Sequence, residues 1–268
     1  MRKTVLCCLL LALLLLCACG AKTETPAPAE PAKTEEPAKT EEPAKTAAPA
    51  EPEPAPEPEP EIDYLALYAP ALDENYAVLT DGYDFEKEYS FLSSGVMEVA
   101  MYQESDEALE TVGYVLQDLN GDGVPELLIG MMDGGDKDLT GTVYSGYSLK
   151  DDEPVCFLEG WARNTYRWLG GGRFYNFGSS GAMYSMFGVF TLSEDGTELD
   201  CEDLYFTGEG KNETLDFFHN TTGVWDEAEA ELLDMSDEEF WALREKTESG
   251  AQHLELTPFS EYESTAEN

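Results

Sequence analysis

Residues 113–132 read Gly-Tyr-Val-Leu-Gln-Asp-Leu-Asn-Gly-Asp-Gly-Val-Pro-Glu-Leu-Leu-Ile-Gly-Met-Met, and this stretch decides the fold. Two apolar runs, 113–117 and 127–132, flank a loop that is rich in Asp and Gly. Short apolar runs that end at turn residues are typical of buried β-strands. The stretch therefore predicts two strands joined by the loop, and a sheet into which they fit.

The loop between these runs carries the motif with the clearest chemistry. Oxygen atoms stand at relative positions 1, 3, 5, 7 and 9, where calcium loops place their ligands. The predicted ligands are Asp118, Asn120, Asp122, the backbone carbonyl of Val124, and Glu126. Gly123 stands at position 6, where such a loop turns sharply. A cation would also relieve the repulsion among the three acids, so the sequence predicts one Ca²⁺ site.

The motif departs from an EF-hand in two respects. Position 12 calls for a bidentate Glu, and this chain has Ile129 there. The flanks are also read as strands instead of helices, as in the Asp-rich loops of integrin-type and FG-GAP repeat proteins. The alternative is a metal-free turn in which Asp118 and Asn120 bond their own backbone.

Beyond the loop, the pattern continues as strands and turns. Strands are predicted at 142–149, 154–158, 165–169, 173–177, 182–192, 198–206 and 254–256. Glycine-rich segments at 170–172 and 178–181 and the acidic segment 194–196 are read as turns. Successive strands joined by short turns predict a mainly antiparallel meander.

Helices are predicted on both sides of these strands. Apolar residues recur at helical spacing in 62–79, where Pro70 is expected to kink or split the helix, and a second helical stretch is expected within 83–102. Ser236 and Glu239 form a capping box before a helix that extends to about residue 248. The fold class is therefore α+β, with flanking N- and C-terminal helices.

The first residues predict export and lipid attachment. A basic start is followed by an apolar run that is shorter than the roughly 20 residues a spanning helix needs. The run closes with Leu16-Cys17-Ala18-Cys19, a lipobox with a small residue before the modified cysteine. Residues 1–18 are expected to be a lipoprotein signal peptide, and lipid on Cys19 is expected to anchor the chain outside a bacterial membrane.

Residues 19–61 are expected to be a disordered linker, because most of the fifteen prolines stand here among Glu, Ala and Lys and little is apolar. Residues 62–268 are then one acidic domain. The chain has 56 Asp and Glu against 15 Lys and Arg, a net charge of −41. Such a charge repels nucleic acid and suits metal cations and basic partners.

The remaining cysteines and aromatic residues leave alternatives open. Cys156 and Cys201 form either one disulfide or two buried free thiols. The aromatic residues crowd the stretch 161–187, where they either stack on a ligand or fill the core. Tyr166 and Trp168 share one strand face, which favours the core. Exposure of Trp161 and Trp168 beside a groove would favour a ligand.

Catalysis should leave a recognisable constellation, and the sequence offers none. His219 and His253 are the two histidines, and neither belongs to a zinc-binding motif. Segment 178–181, Gly-Ser-Ser-Gly, lacks the spacing of a nucleophile elbow. The sequence therefore favours a non-enzymatic domain. The alternative is an extracellular hydrolase, for instance one that acts on carbohydrate, with a carboxylate pair that no spacing identifies.

Three segments resemble a group of uncharacterised lipoproteins from Gram-positive gut bacteria. They are 113–118 leading into the Asp loop, 178–182, and 257–262. The resemblance covers most of residues 62–262 and implies a secreted α+β domain with a calcium-type loop. It assigns no reaction. The sequence thus predicts a membrane-anchored lipoprotein whose calcium-stabilised domain binds an unknown extracellular ligand or protein.

Overall fold

The computed structural model describes residues 62–132, 140–211 and 214–266. The predicted signal peptide, Cys19 and the linker lie outside these residues. Four α-helices are described: α1 Tyr64–Asp81, α2 Ser94–Tyr102, α3 Ser105–Thr111 and α4 Asp237–Glu248. Eleven strands join one sheet: β1 Val112–Gln117, β2 Glu126–Met131, β3 Thr142–Lys150, β4 Glu153–Glu159, β5 Asn164–Gly170, β6 Arg173–Gly181, β7 Tyr184–Leu192, β8 Leu199–Glu209, β9 Leu215–Asn220, β10 Glu231–Leu233 and β11 Thr257–Pro258.

The sheet is an antiparallel meander along most of its width. Its strand order is β10-β9-β8-β7-β6-β5-β3-β2-β1-β11, with β4 paired to β3. Each pairing in it is antiparallel. The predicted α+β class with an antiparallel meander is therefore confirmed.

The N-terminal helices α1, α2 and α3 cover one face of the sheet. Their buried side chains, among them Tyr68 and Val96, form a core with Leu127 and Ile129 of β2. Leu128 of β2 points into a second core on the opposite face. Because both faces are covered, all six residues of β2 are buried. This explains why residues 127–131 of β2 form a continuous apolar run.

The C-terminal helix α4 packs on the other half of the sheet. Phe240 is fully buried and lies against Phe187 of β7 and Phe217 of β9. The predicted capping box is confirmed, because the Glu239 amide donates to Ser236 Oγ at 3.3 Å and Glu239 Oε2 accepts from the Ser236 amide at 2.9 Å. The buried ring and the cap together fix α4 on the sheet.

The helix predictions need correction at three points. Residues 83–92 are irregular, because Glu74 of α1 accepts the backbone N–H groups of Ser90 and Phe91 and so competes with a helix. Helix α3, Ser105–Thr111, was not anticipated. Pro70 lies inside α1, which continues unbroken from Tyr64 to Asp81.

Several strand boundaries also differ from those predicted from the sequence. Strand β6 continues through Gly181, and the turn before β7 falls at 182–183 instead of 178–181. Residues 254–256 are not a strand; the edge strand is Thr257–Pro258, which pairs with Gly113 and Tyr114 of β1. Strands β9 and β10 were not predicted.

The two cysteines of the domain are free thiols, so the disulfide alternative is wrong. Cys156 is exposed, which also corrects the expectation that both thiols are buried. Cys201 is half-buried and packs beside the core formed by Leu204, Phe206 and Phe218.

Candidate functional site: the Asp loop and the groove beneath α2

The Asp loop joins β1 to β2 as predicted, and its polar side chains bond its own backbone. Asp118 accepts the amides of Gly121 at 2.7 Å and Gly123 at 3.1 Å. Asn120 Oδ1 accepts the Asp122 amide at 3.1 Å, and Asp122 Oδ1 accepts the Val124 amide at 2.7 Å. These bonds are successive Asx turns, which hold the three side chains in one tight curve.

Two glycines make that curve possible. Gly121 and Gly123 have φ angles of +83° and +89°. Residues with a Cβ rarely adopt such angles, so the position of Gly123 matches the sharp turn that the motif predicts. Leu119 points inward, 4% exposed, and anchors the loop in the core on the far side of β2.

Glu126 sits beneath the loop instead of on its outer surface. Its side chain is 1% exposed, and its Oε2 accepts the Leu119 amide at 2.8 Å. Burial, together with the negative charges of Asp122 and Asp118, raises the pKa of the Glu126 carboxyl to about 7. The three carboxyl groups are thus close enough to repel one another.

Helix α1 rests on this loop through two tyrosines. Tyr68 is fully buried, and its hydroxyl donates to the Pro125 carbonyl at 2.9 Å and lies 3.2 Å from the Tyr147 carbonyl. Tyr64 reaches the Gly123 carbonyl at 3.4 Å. The loop, α1 and β3 therefore form one connected unit.

The predicted calcium ligands differ in how they suit a cation. Asp118, Asn120 and Asp122 offer oxygens in one turn, and an oxygen that accepts a single N–H keeps lone-pair capacity. Glu126 accepts the Leu119 amide with Oε2 alone, so its carboxyl also keeps capacity for a cation, directly or through a bridging water. Within the described ranges, no group of three or more Asp, Glu, His or Cys side chains is close enough to hold a metal ion. The oxygen donors of Asp118, Asn120 and Asp122 suit Ca²⁺ chemically and lie in one turn, but the structure does not gather them into a complete site, so the Ca²⁺ site with the Val124 carbonyl stays a prediction.

A groove lies beneath α2, where β3 changes its neighbour. Residues 145–150 of β3 pair with β4, whereas Thr142 and Val143 pair with Arg167 and Tyr166 of β5. Between β4 and β5 the chain leaves the sheet at residues 160–163 and returns through a bridge between Trp161 and Asn164. This excursion carries Trp161 out of the sheet towards α2.

The excursion is fastened to α2 by polar bonds. The Gly95 amide donates to the Gly160 carbonyl at 2.9 Å, and Glu98 accepts the Ala162 amide at 2.9 Å. A Cβ at Gly160 would lie 2.6 Å from the Val143 carbonyl oxygen, so only glycine allows this close approach. Helix, excursion and sheet therefore have fixed relative positions.

The space enclosed by these elements has a volume of about 380 Å³. We call it the α2 groove; Val99 and Tyr102 of α2, Met131, Thr142 and Trp161 line it. Tyr102 is 83% exposed and Trp161 is 39% exposed, so the two rings stand at the mouth. The apolar lining and the two aromatic rings are typical of a small-molecule site.

The Thr142 side chain gives the α2 groove a polar point. Thr142 is 2% exposed, and its Oγ1 is buried without a hydrogen-bond partner. A buried hydroxyl without a partner costs about 1–3 kcal/mol, so native structures rarely keep one without a reason. Thr142 is one of the residues that line the groove, but its hydroxyl oxygen is itself closed to solvent, so a ligand atom could satisfy it only after the side chain rotates.

The aromatic stretch divides between core and surface. Phe174, Tyr175 and Phe187 are buried, and Trp168 packs against the core while its Nε1 donates to the Gly171 carbonyl at 2.7 Å. Of Trp161 and Trp168, whose exposure was expected to distinguish the two interpretations, Trp161 is the one that is exposed beside a groove. The core interpretation therefore holds for Trp168, and the ligand interpretation remains for Trp161.

His219 is a partly buried histidine that is paired with an acid. Its Nε2 lies 2.8 Å from Asp203 Oδ1, and its ring lies 4.5 Å from the Tyr205 ring, centroid to centroid. The sequence reading did not anticipate this pair, because 16 residues separate its members along the chain.

No protein-family model, curated protein or solved structure matches this chain. The helices of the part of the chain that the structure describes include none with the length and apolar character to cross a membrane.

Proposed function

We propose that the chain is an extracytoplasmic bacterial lipoprotein whose acidic domain, 62–268, binds a small ligand in the α2 groove without transforming it. After removal of the signal peptide, residues 1–18, lipid attached to Cys19 would anchor the chain in the membrane. The linker, residues 19–61, would hold the domain away from the membrane surface. The observation that supports the binding function is the apolar groove itself, with the exposed rings of Trp161 and Tyr102 at its mouth and Thr142 in its wall.

The lining of the α2 groove defines the ligand's chemistry. Val99 and Met131 are buried apolar side chains, and the rings of Trp161 and Tyr102 offer flat faces at the mouth. Thr142 can donate or accept one hydrogen bond. Glu98 also lines the groove and disfavours an anion, so the ligand should be mainly apolar and not negatively charged, with one hydrogen-bonding group.

Calcium has a structural part in this proposal. Asp118, Asn120, Asp122 and Val124 would hold the ion, and Glu126 would complete the set directly or through water. The ion would neutralise charges that repel one another in the turn. Because Tyr68 joins the loop to α1 and β3, the ion would stabilise the side of the domain that carries the groove.

A groove-filling substitution tests the site. Ala162→Trp places a large ring on the exposed rim of the α2 groove, and Ala251→Trp places the same ring on an exposed surface elsewhere. The purified proteins would be screened by saturation-transfer NMR against neutral compounds such as benzyl alcohol, indole and N-acetylphenylalanine amide. We expect saturable binding to the wild type and to Ala251→Trp, and at least tenfold weaker binding to Ala162→Trp.

Two results would contradict this proposal. Equal binding by both variants would place the ligand outside the α2 groove. Hydrolysis of N-acetylphenylalanine amide, the only one of the three compounds with hydrolysable bonds, would favour the hydrolase alternative.

The anchor has a separate test. Cells that express the wild type or Cys19→Ser would be fed an alkyne-tagged fatty acid and fractionated. We expect the label and membrane association in the wild type and the loss of both in Cys19→Ser. Label on the variant would show that another residue carries the lipid.

A further inference from the structure

A second cleft lies at the far end of the sheet, away from the Asp loop and the α2 groove. Its volume is about 510 Å³, and it is bounded by the tip of the β6–β7 hairpin and by the segment that follows β9. We call it the hairpin cleft. Tyr184 and Trp225 flank it, 40% and 38% exposed, and Asp226 and Glu227 stand beside Trp225.

The position of Trp225 is fixed by hydrogen bonds in the turn that precedes it. Asn220, at the end of β9, donates from Nδ2 to the Val224 carbonyl at 2.7 Å, and its Oδ1 accepts the amides of Thr222 and Gly223. These bonds fold the segment before Trp225 into a compact turn. The Trp225 ring then contacts the buried Phe206 ring at 6.4 Å between centroids and keeps part of its surface exposed.

Tyr184 is fixed by a similar device on the opposite wall. Thr207 of β8 is 1% exposed; its hydroxyl donates to the Met183 carbonyl at 2.8 Å and accepts the Ser185 amide at 2.9 Å. Both neighbours of Tyr184 are thus bonded to the next strand. The two aromatic side chains are therefore presented by rigid backbone, which lowers the entropy cost of binding.

The charge around these rings is negative. Asp226 and Glu227 are exposed carboxylates, and the described residues that line the cleft include no Lys or Arg. The whole chain has a net charge of −41, so its field concentrates cations near the surface. Aromatic faces attract cations through the ring quadrupole, and Trp does so most strongly.

We infer that the hairpin cleft binds a small organic cation whose positive charge lies on an alkylated nitrogen. A bare metal ion would need several converging oxygens and would gain little from Tyr184 and Trp225. A neutral sugar could stack on the rings and donate hydroxyls to the carboxylates, but it would gain nothing from the negative potential of the cleft. An alkylated ammonium group satisfies both features, because its alkyl groups contact the rings and its charge faces Asp226 and Glu227.

Choline is a suitable probe, because 3,3-dimethylbutan-1-ol has the same shape and lacks the charge. The full-length chain would be titrated with each compound and with methyl β-D-glucopyranoside, at constant ionic strength, by calorimetry and tryptophan fluorescence. We expect saturable binding of choline and at least tenfold weaker binding of the neutral isostere and of the sugar. Equal binding of the isostere or the sugar, or no saturable choline binding, would overturn the inference.

Paired variants locate the site. Trp225→Ala and Tyr184→Ala should each weaken choline binding about tenfold, whereas Tyr184→Phe keeps the ring and should bind within about twofold of the wild type. Asp226→Asn with Glu227→Gln should weaken choline binding without changing the affinity for the isostere. Trp161→Ala, in the α2 groove, serves as the control. Unchanged binding by Trp225→Ala and Tyr184→Ala, with melting temperatures like the wild type, would contradict the assignment.

Discussion

The Asp loop and the α2 groove lie on the same half of the domain, but their polar side chains differ in whether they have hydrogen-bond partners. In the loop, Asp118 and Asn120 accept backbone amides within five residues along the chain. In the groove, the Thr142 hydroxyl has no partner although it is buried. The polar side chains of the loop are hydrogen-bonded within the loop, whereas the Thr142 hydroxyl has no hydrogen-bond partner.

This difference indicates different roles. Hydrogen bonds that close within a short segment stabilise that segment, so the loop is first a structural element and an added ion would reinforce it. A buried hydroxyl that stays unpaired lowers stability, and the described residues also include Thr80, Ser145 and Ser148 in this state, so what distinguishes Thr142 is its place in the wall of a groove. The groove is accordingly the better candidate for recognition.

The largest expected effect concerns the anchor of the loop. Leu119 is 4% exposed in the core on the far side of β2, so Leu119→Ala should lower the free energy of unfolding by about 3 kcal/mol. Urea denaturation would measure the loss. Leu232→Ala, at an exposed position, should change it by less than about 0.5 kcal/mol. A Leu119 variant as stable as the wild type would mean that the core does not fix the loop.

Calcium should produce the next largest effect. At a free Ca²⁺ concentration of 100 times its Kd, a single site stabilises the folded state by about 2.7 kcal/mol. Calorimetric titration and melting curves in Ca²⁺ and in chelator should show binding and stabilisation for the wild type and neither for Asp122→Ala. Asp200→Ala removes the same charge from an exposed strand position and should behave as the wild type. If none of the three proteins binds the ion, the loop is a metal-free turn.

The link between the loop and α1 should contribute less. Tyr68→Phe leaves the carbonyls of Pro125 and Tyr147 without their common hydroxyl, and this should cost about 1–1.5 kcal/mol. Tyr64→Phe loses only an exposed bond of 3.4 Å to Gly123 and should cost less than about 0.5 kcal/mol. Chemical denaturation would compare the two. Equal losses would show that burial of the Tyr68 hydroxyl adds nothing.

The smallest expected effect concerns Asp73, another acid satisfied by its own chain. Partial burial raises the pKa of its carboxyl, but hydrogen bonds from Thr265, Ser264 and Tyr262 outweigh this and lower the pKa overall. The stability it contributes is therefore complete above the usual Asp pKa of about 3.9 and is lost as the pH falls through the folded-state value.

Asp73→Asn should reveal this dependence. The difference in melting temperature between the wild type and the variant should be constant near neutral pH and shrink as the pH falls towards 3. A difference that grows on acidification would contradict the assignment. Calcium binding should be unchanged, because Asp73 lies outside the Asp loop.

The loop and its hairpin could be predicted because their determinants are adjacent in sequence. The spacing from Asp118 to Glu126, the glycine at position 123 and the apolar flanks act over a few residues. The capping box of α4 is equally local. The burial of Glu126 was missed, because its cause is the tertiary packing of the loop on the sheet.

The α2 groove could not be predicted in the same way. Its walls come from α2, the end of β2, the start of β3 and the excursion at 160–163, which only tertiary structure brings together. The change of partner along β3 leaves no periodic signal. The irregular segment 83–92 has a similar cause, since Glu74 of α1 binds its backbone from a distance. The one feature of the sequence that indicates the groove is Trp161, a large aromatic residue between the predicted strands 154–158 and 165–169.

The most direct measurement compares Thr142→Val with Ser148→Ala. Both remove a buried hydroxyl that has no hydrogen-bond partner, but only Thr142 lines the α2 groove. Each substitution should raise the free energy of unfolding by about 1 kcal/mol. The tightest neutral ligand from the NMR screen should bind Thr142→Val about tenfold more weakly than it binds the wild type. It should bind Ser148→Ala as tightly as it binds the wild type. Unchanged affinity in Thr142→Val would contradict the conclusion that this hydroxyl is kept for a ligand.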